Sequence, residues 1–436
     1  MVADGRDRER RRLHRGHAER AAGVVIPMPD VETIRKILVI GGGPAGTFAA
    51  IAAKQHNPSA AVTLLSEEQC EPYDKPPLSK AVLLGKVLPS DALIAGPCGI
   101  AGHGVVLATR AQCTAIDRAA RSVILRDGRR LPYDALVIAT GSVVREIPQL
   151  PLGMPRVHYL RTEADAHVLK TALRESRDLL VVGGGLIGLE VAASAAELGV
   201  STTVLEIAPR ILARVCDEDT SAIVHAAHRQ HGVDIRVGTA LADAALQTDG
   251  RIAVRTGGRE HLTADLAVIG TGARPNDGLA AAAGLVTNDG IIVDEYCRTC
   301  DPAIFAAGDV VRFPGPHGPV RLENWRHALD QGAVAGRNAA GATDPYMTVP
   351  SFWSEQYDLY IQGVGWAPAG GARVRRPLRG NGALVLEISD GRLVHAMGIN
   401  AQRDLAAARR LIERGVAVDP AALADPAQPL AVMLKR

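Results

Sequence analysis

The residues best spaced for chemistry in this sequence are glycines and carboxylates, not a nucleophile with its base. Gly41, Gly43 and Gly46 stand in the run Gly41-Gly42-Gly43-Pro44-Ala45-Gly46, directly after the aliphatic stretch Ile37-Leu38-Val39-Ile40. Gly41 suits a tight turn, Gly43 lets backbone approach a pyrophosphate, and Gly46 lets the next helix lie close on a sheet. A phosphate can then rest on the unpaired N–H groups and positive end of that helix, whose first turn holds Pro44 and Ala45. About twenty residues beyond the glycines, Glu67 and Glu68 follow Val62-Thr63-Leu64-Leu65, where an acid can accept from ribose hydroxyls.

The pattern recurs. Leu179-Leu180-Val181-Val182 leads into Gly183-Gly184-Gly185-Leu186-Ile187-Gly188, and Thr202-Thr203-Val204-Leu205 ends at Glu206. Glycines occur in ordinary βα turns, but two such turns with matched acids imply two bound dinucleotides. A carboxylate at Glu206 accepts from the ribose hydroxyls of NAD and repels the 2′-phosphate of NADP. Arg210, shortly after it, could soften that preference.

These motifs need parallel strands to carry them. Ile37–Ile40, Leu136–Ile138 and Leu179–Val182 are continuous aliphatic runs, the pattern of strands covered on both faces. The segment Ala139-Thr140-Gly141-Ser142 marks where the chain leaves the first unit, and Gly270-Thr271-Gly272-Ala273-Arg274-Pro275-Asn276 marks its return. The expected fold is α/β: two Rossmann-like dinucleotide-binding domains and a small α+β C-terminal domain. The first domain is discontinuous (31–150 and 275–345), the second spans 151–274 and the third 346–436.

Composition narrows the function classes. The chain has 436 residues and a net charge of +2, so no bulk attraction to nucleic acid or membrane is expected. Six cysteines lie scattered, without the spacing of a disulfide framework. The apolar run 179–200 is interrupted by glycines and Glu190 and reads as a βα unit, not a membrane span. A cytoplasmic protein, monomer or homodimer, is expected. Residues 1–30 crowd arginines and acids without periodicity and read as a disordered basic tail, with Met28 as an alternative start.

Further along, Glu71-Pro72-Tyr73-Asp74-Lys75-Pro76-Pro77-Leu78-Ser79-Lys80 is a proline-stiffened loop ending in a cation. With the glycine units, this loop resembles the flavin-dependent, NADH-dependent ferredoxin reductases of bacterial oxygenase systems, relatives of putidaredoxin reductase and the biphenyl dioxygenase ferredoxin reductase. Apoptosis-inducing factor is similar more distantly. The resemblance runs from about Ile34 to the C-terminus. It implies a glutathione-reductase-like fold in which the first unit binds FAD and the second NAD(H).

By that resemblance Glu67 or Glu68 holds the adenosine ribose of FAD, and Lys80 sits beside the reactive edge of the flavin, paired with Glu190. Lys75 stands where the family has arginine, which keeps the charge but loses the planar fork. Cys113, Thr140, Gly141, Arg145 and Asp309 are counted as further FAD contacts, and Gly272 joins the NAD set. Trp325 is expected on the exposed side of the flavin. Phe352, Trp353 and Tyr357 could line an acceptor surface or pack under a sheet.

The resemblance implies electron transfer from NADH through FAD to a [2Fe–2S] ferredoxin, which feeds an oxygenase. Two rivals are a thiol-type reductase or NADH oxidase using Cys70, and a redox-sensing flavoprotein. Cys297 and Cys300 form a C-x-x-C without a second ligand pair, so no metal is expected. Arg321, Arg326, Arg373, Arg375, Arg376 and Arg379 are expected to offer an acidic ferredoxin a basic docking face.

Overall fold

The computed structural model describes residues 34–434 except 368, 369, 379 and 381. The basic tail and Arg379 lie outside the described residues. Five parallel strands build the first sheet, in the order Ile304–Ala306, Ala135–Ile138, Lys36–Ile40, Ala61–Leu65, Val106–Ala108. Lys36–Ile40 lies at its centre and buries every residue after Lys36, as a strand covered on both faces must. The second sheet repeats the plan with Asp234–Arg236, Ser201–Leu205, Asp178–Val182, Leu266–Ile269 and Val157–Tyr159.

The chain leaves the first sheet after Ile138 and returns beside its exit. Ser142–Val144 pairs antiparallel with Ala273–Pro275, in the register Ser142 to Pro275. The Thr140 hydroxyl donates to the Asn276 carbonyl at 2.8 Å and fastens the same crossing. A third unit comes next: an antiparallel five-stranded sheet from Ser351–Gln356 to Arg392–Ile399, covered by the helix Gln402–Arg414. That helix stops at Gly415, whose φ of 58° supplies the left-handed cap. Among the described residues no helix is long and apolar enough to cross a membrane.

Beneath the first glycine turn, helix Pro44–His56 packs on helix Trp325–Ala339 with almost no side chain between them. A Cβ on Gly332 would lie 2.2 Å from the Ala45 carbonyl oxygen, and one on Gly336 would lie 2.0 Å from that of Ala49. The close approach carries Trp325, at the head of the second helix, to the face of the first unit. Gly336→Ala should therefore destabilise by about 1–3 kcal/mol, since overpacking outweighs the gain in helix propensity. Denaturant midpoints check this; an unchanged midpoint would mean the two helices separate freely.

Candidate functional site

The two glycine turns fold alike. Gly41 has φ +116° and Gly183 φ +110°, and a Cβ at either would strike the carbonyl of the neighbouring strand end, Ala139 or Gly270. Gly43 and Gly185 do the opposite: a Cβ on Gly43 would meet nothing within 4 Å, and one on Gly185 only the Gly270 oxygen at 3.9 Å. Each turn thus opens backbone towards free space. Thr162, Asp217 and Asn324 cap their own helices through side-chain oxygens. Helices Pro44–His56 and Leu186–Glu197 have no such cap and no acid in the first turn. Their leading N–H groups are left for an outside anion, which a pyrophosphate fits.

Past each turn the acids differ in register. Glu206 directly follows its strand; its carboxylate accepts from the Gly184 N–H at 2.6 Å and the Ala208 N–H at 2.7 Å. The equivalent place in the first unit is Ser66, so Glu67 falls one residue later. Glu67 is exposed and makes no hydrogen bond among the described residues. Glu68 is occupied: Tyr73 donates to it at 2.6 Å and Lys75 at 2.8 Å. Lys75 therefore serves Glu68 and the loop. Arg210 directs its guanidinium to the Ala213 and Asp217 carbonyls and does not offset Glu206.

The proline loop comes down onto the second unit. Pro76–Ser79 forms a short 3-10 turn, and Lys80 beyond it pairs with Glu190 at 3.1 Å. Both are largely out of water, their side chains 17% and 4% exposed. Ser79 donates to Glu190 as well, and Ser354 of the C-terminal sheet donates at 2.6 Å. Ser194 holds the Ser79 carbonyl at 2.8 Å. One carboxylate of the second unit thus gathers donors from the other two.

Aromatics close the other side. Trp325 donates its indole N–H to Asp74 at 2.9 Å and meets Trp353 edge-on, ring centres 5.8 Å apart. Phe352 and Tyr357 instead pack against the core of the second unit. Asp309 follows Gly308, whose N–H donates to Gln331, and accepts from Ser142 at 3.1 Å. Burial raises the Asp309 pKa, against the charge of Arg161 at 3.5 Å. Arg161, which also lies over Gly141, was not singled out from sequence. Its only signal is its place just before the capping Thr162. Arg145 is exposed beside Gly272, and Cys113 is half-buried with its thiol on the Ala115 carbonyl.

Two expectations change. The arginines named for docking are already matched: Arg321 with Asp289 and Glu323, Arg326 with Asp330, Arg373 with Glu387, Arg375 with Asp219, and Arg376 with Asp404. Each cation lies against a carboxylate of its own chain, so together they project little positive field. Cys70 is a poor nucleophile as well. Burial, then the nearby Glu163 and Glu68, push its thiol up to about 12, leaving little thiolate at neutral pH.

Two glycine turns open to free space, and a largely buried lysine–glutamate pair that joins their units, are the frame of a pyridine-nucleotide oxidoreductase. Residues 35–332 match the pyridine nucleotide-disulphide oxidoreductase family and 351–434 the reductase C-terminal family, and the chain belongs to the former. It is 40% identical over 394 residues to the anthranilate 1,2-dioxygenase system ferredoxin–NAD(+) reductase component of Burkholderia cepacia, covering 89% of this chain and 97% of that one. Rhodocoxin reductase of Rhodococcus erythropolis is 36% identical, covering 89% and 92%. The putidaredoxin reductase–putidaredoxin complex is similar in structure, with TM-score 0.87, 33% identity and coverage of 92% and 98%.

The Glu68 cluster generates a stability test. Burial by itself raises the Glu68 pKa, but the charge and hydrogen bond of Lys75, the Tyr73 hydroxyl and the Glu163 N–H outweigh it, so the pKa lies below its ordinary 4.5. A depressed carboxyl contributes stability that is present above pH 4.5 and lost as pH falls through the lowered value. Lys75→Met should cost about 1 kcal/mol at neutral pH, given partial exposure. The gap in denaturation midpoint should close in acid; a gap indifferent to pH would assign Lys75 a packing role alone.

Proposed function

We propose that the protein is a ferredoxin–NAD(+) reductase that takes electrons from NADH through bound FAD to a [2Fe–2S] ferredoxin serving an oxygenase. The observation that carries this is the buried Lys80–Glu190 pair, which joins the loop of the first glycine unit to the helix of the second. A relative named for this activity, similar over nearly the whole chain, supports it.

FAD, when bound, supplies the conversion of a two-electron hydride into single electrons. The Gly41–Gly46 turn would hold it, with Glu67 free for the adenosine ribose and Arg145 and Asp309 as further contacts. Gly183–Gly188 would hold NADH, with Glu206 accepting from its ribose hydroxyls and Gly272 as a further contact. Lys80 presents a positive charge where negative charge develops on reduction, and Glu190 keeps that ammonium in place. Trp325 and Trp353 shield the edge from water and offer the acceptor an aromatic surface. No proton-transfer triad is required: the residues bind, orient and stabilise charge.

Anaerobic addition of NADH to the flavin-loaded protein should bleach the flavin, and cytochrome c should then be reduced only when a [2Fe–2S] ferredoxin is present. Failure of NADH to bleach the flavin would overturn the reading. Coenzyme choice gives a second test. Glu206→Gln keeps an acceptor for the Gly184 N–H but removes the charge. NADH efficiency should fall by about 1–3 kcal/mol in transition-state terms, with NADPH relatively improved. An unchanged NADH/NADPH ratio in steady-state kinetics would remove Glu206 as the selector.

A further inference from the structure

The Glu190 carboxylate is the end of a longer chain of buried hydrogen bonds. Ser354 lies 2.6 Å from Glu190, Gln356 donates to Ser354 at 3.0 Å, His228 lies 2.8 Å from Gln356, and Tyr357 lies 3.1 Å from the other nitrogen of His228. Ser354, Gln356 and His228 are buried, at 0%, 1% and 0% exposure. The chain ends at Tyr357, whose ring stacks on the exposed His231 at 3.7 Å.

Its direction is set from one end. An ionised carboxylate can only accept, so the Ser354 O–H points at Glu190 and its oxygen must accept from the Gln356 NH2. The Gln356 carbonyl then faces His228, so Nε2 of that ring carries its proton. Burial pushes the His228 pKa down to about 4, which keeps the ring neutral with a bare Nδ1. Tyr357 donates to that nitrogen. Every donor from Tyr357 to Ser354 points towards Glu190, and one reversed member would leave a buried polar atom without a partner.

The strand Ser351–Gln356 is built for this. Its alternation sends Ser354 and Gln356 to one face and Trp353 to the other, where it meets Trp325. His228 comes from helix Glu218–Gln230 of the second unit. A purely structural contact between these elements could be apolar at lower cost, because a buried polar chain is stabilising only when complete.

We propose that Ser354, Gln356 and His228 are positioning residues for flavin reduction: their one-way hydrogen bonds fix the Glu190 carboxylate and, through it, the Lys80 ammonium. None of them hydrogen-bonds Lys80; Ser354 and Lys80 meet only through the Glu190 carboxylate. The inference rests on the reading of Lys80 as the flavin-side cation. Loosening the chain lets Lys80 drift, so negative charge on the reduced flavin is less stabilised.

The test uses flavin-loaded His228→Ala and Ser354→Ala proteins, each read two ways. Stopped-flow reduction by NADH should show a limiting rate lower by about tenfold, the effect of one lost hydrogen bond, with the NADH concentration for half-saturation unchanged. Dye-equilibrium titration, which needs no NADH, should show a more negative flavin potential. His228→Gln places an amide N–H where the ring N–H stood and should recover most of both losses. Ser354→Ala removes a single oxygen and carries the test if His228→Ala does not fold. A wild-type rate and potential in the alanine variants, or a change confined to half-saturation, would overturn the inference. Wild-type protein inert to NADH but with potentials that shift as described would instead fail the proposed function and leave the positioning chain standing.

Discussion

The structure depends on keeping one buried carboxylate satisfied. Glu190 sits in the interior of helix Leu186–Glu197 with 4% of its side chain exposed, a position where an unpaired charge would cost several kcal/mol. Coulomb attraction to Lys80 alone does not offset removing two charges from water; the remaining lone pairs need donors too. Ser79 and Ser354 supply them. Those donors come from the proline loop and the C-terminal sheet, so satisfying Glu190 requires all three units to dock in one arrangement. The surrounding apolar cores supply the driving force, but they are less particular about register than a carboxylate with fixed lone pairs.

A related constraint governs the glycine turns. In both, one glycine is forced by a carbonyl against its α-carbon and another is left facing open space. The helices they open forgo the side-chain caps used by their neighbours. A helix start that is left unsatisfied destabilises the empty protein slightly and strengthens its hold on a phosphate. The units differ in the residues just past the second strand. Glu206 is braced by two backbone N–H groups, whereas Ser66 takes that place in the first unit and Glu67 projects one residue later. A braced acid has a fixed orientation and can discriminate between ribose and its phosphate; a free one mainly contributes a contact.

Much of the fold was legible in the sequence. Buried parallel strands show as aliphatic runs, the glycine turns show as spacing, and the crossing segments show as small residues after such runs. The site was legible only in part. Lys80, Glu190, Asp309 and Trp325 stand in recognisable stretches, but the choice between Glu67 and Glu68 was not readable. Nothing local announces that Tyr73 and Lys75 fold back onto Glu68 and leave Glu67 exposed. The arginine face misled for the same reason: a count of cations along the chain says nothing about the carboxylates that lie opposite them once folded.

What the sequence determined by itself was local and periodic: which segments are buried strands, where backbone must turn tightly, and where helix starts are open to an anion. These depend on neighbours within a few residues, where steric exclusion and hydrogen-bond geometry act directly. Only the tertiary structure decided the partners of each charged and polar side chain. Ser354 stands 164 residues from Glu190 and His228 stands 128 from Gln356, in stretches with no motif. Their role exists because a buried carboxylate needs donors from whichever elements packing brings within about 3 Å, and that neighbourhood is a property of the docked units.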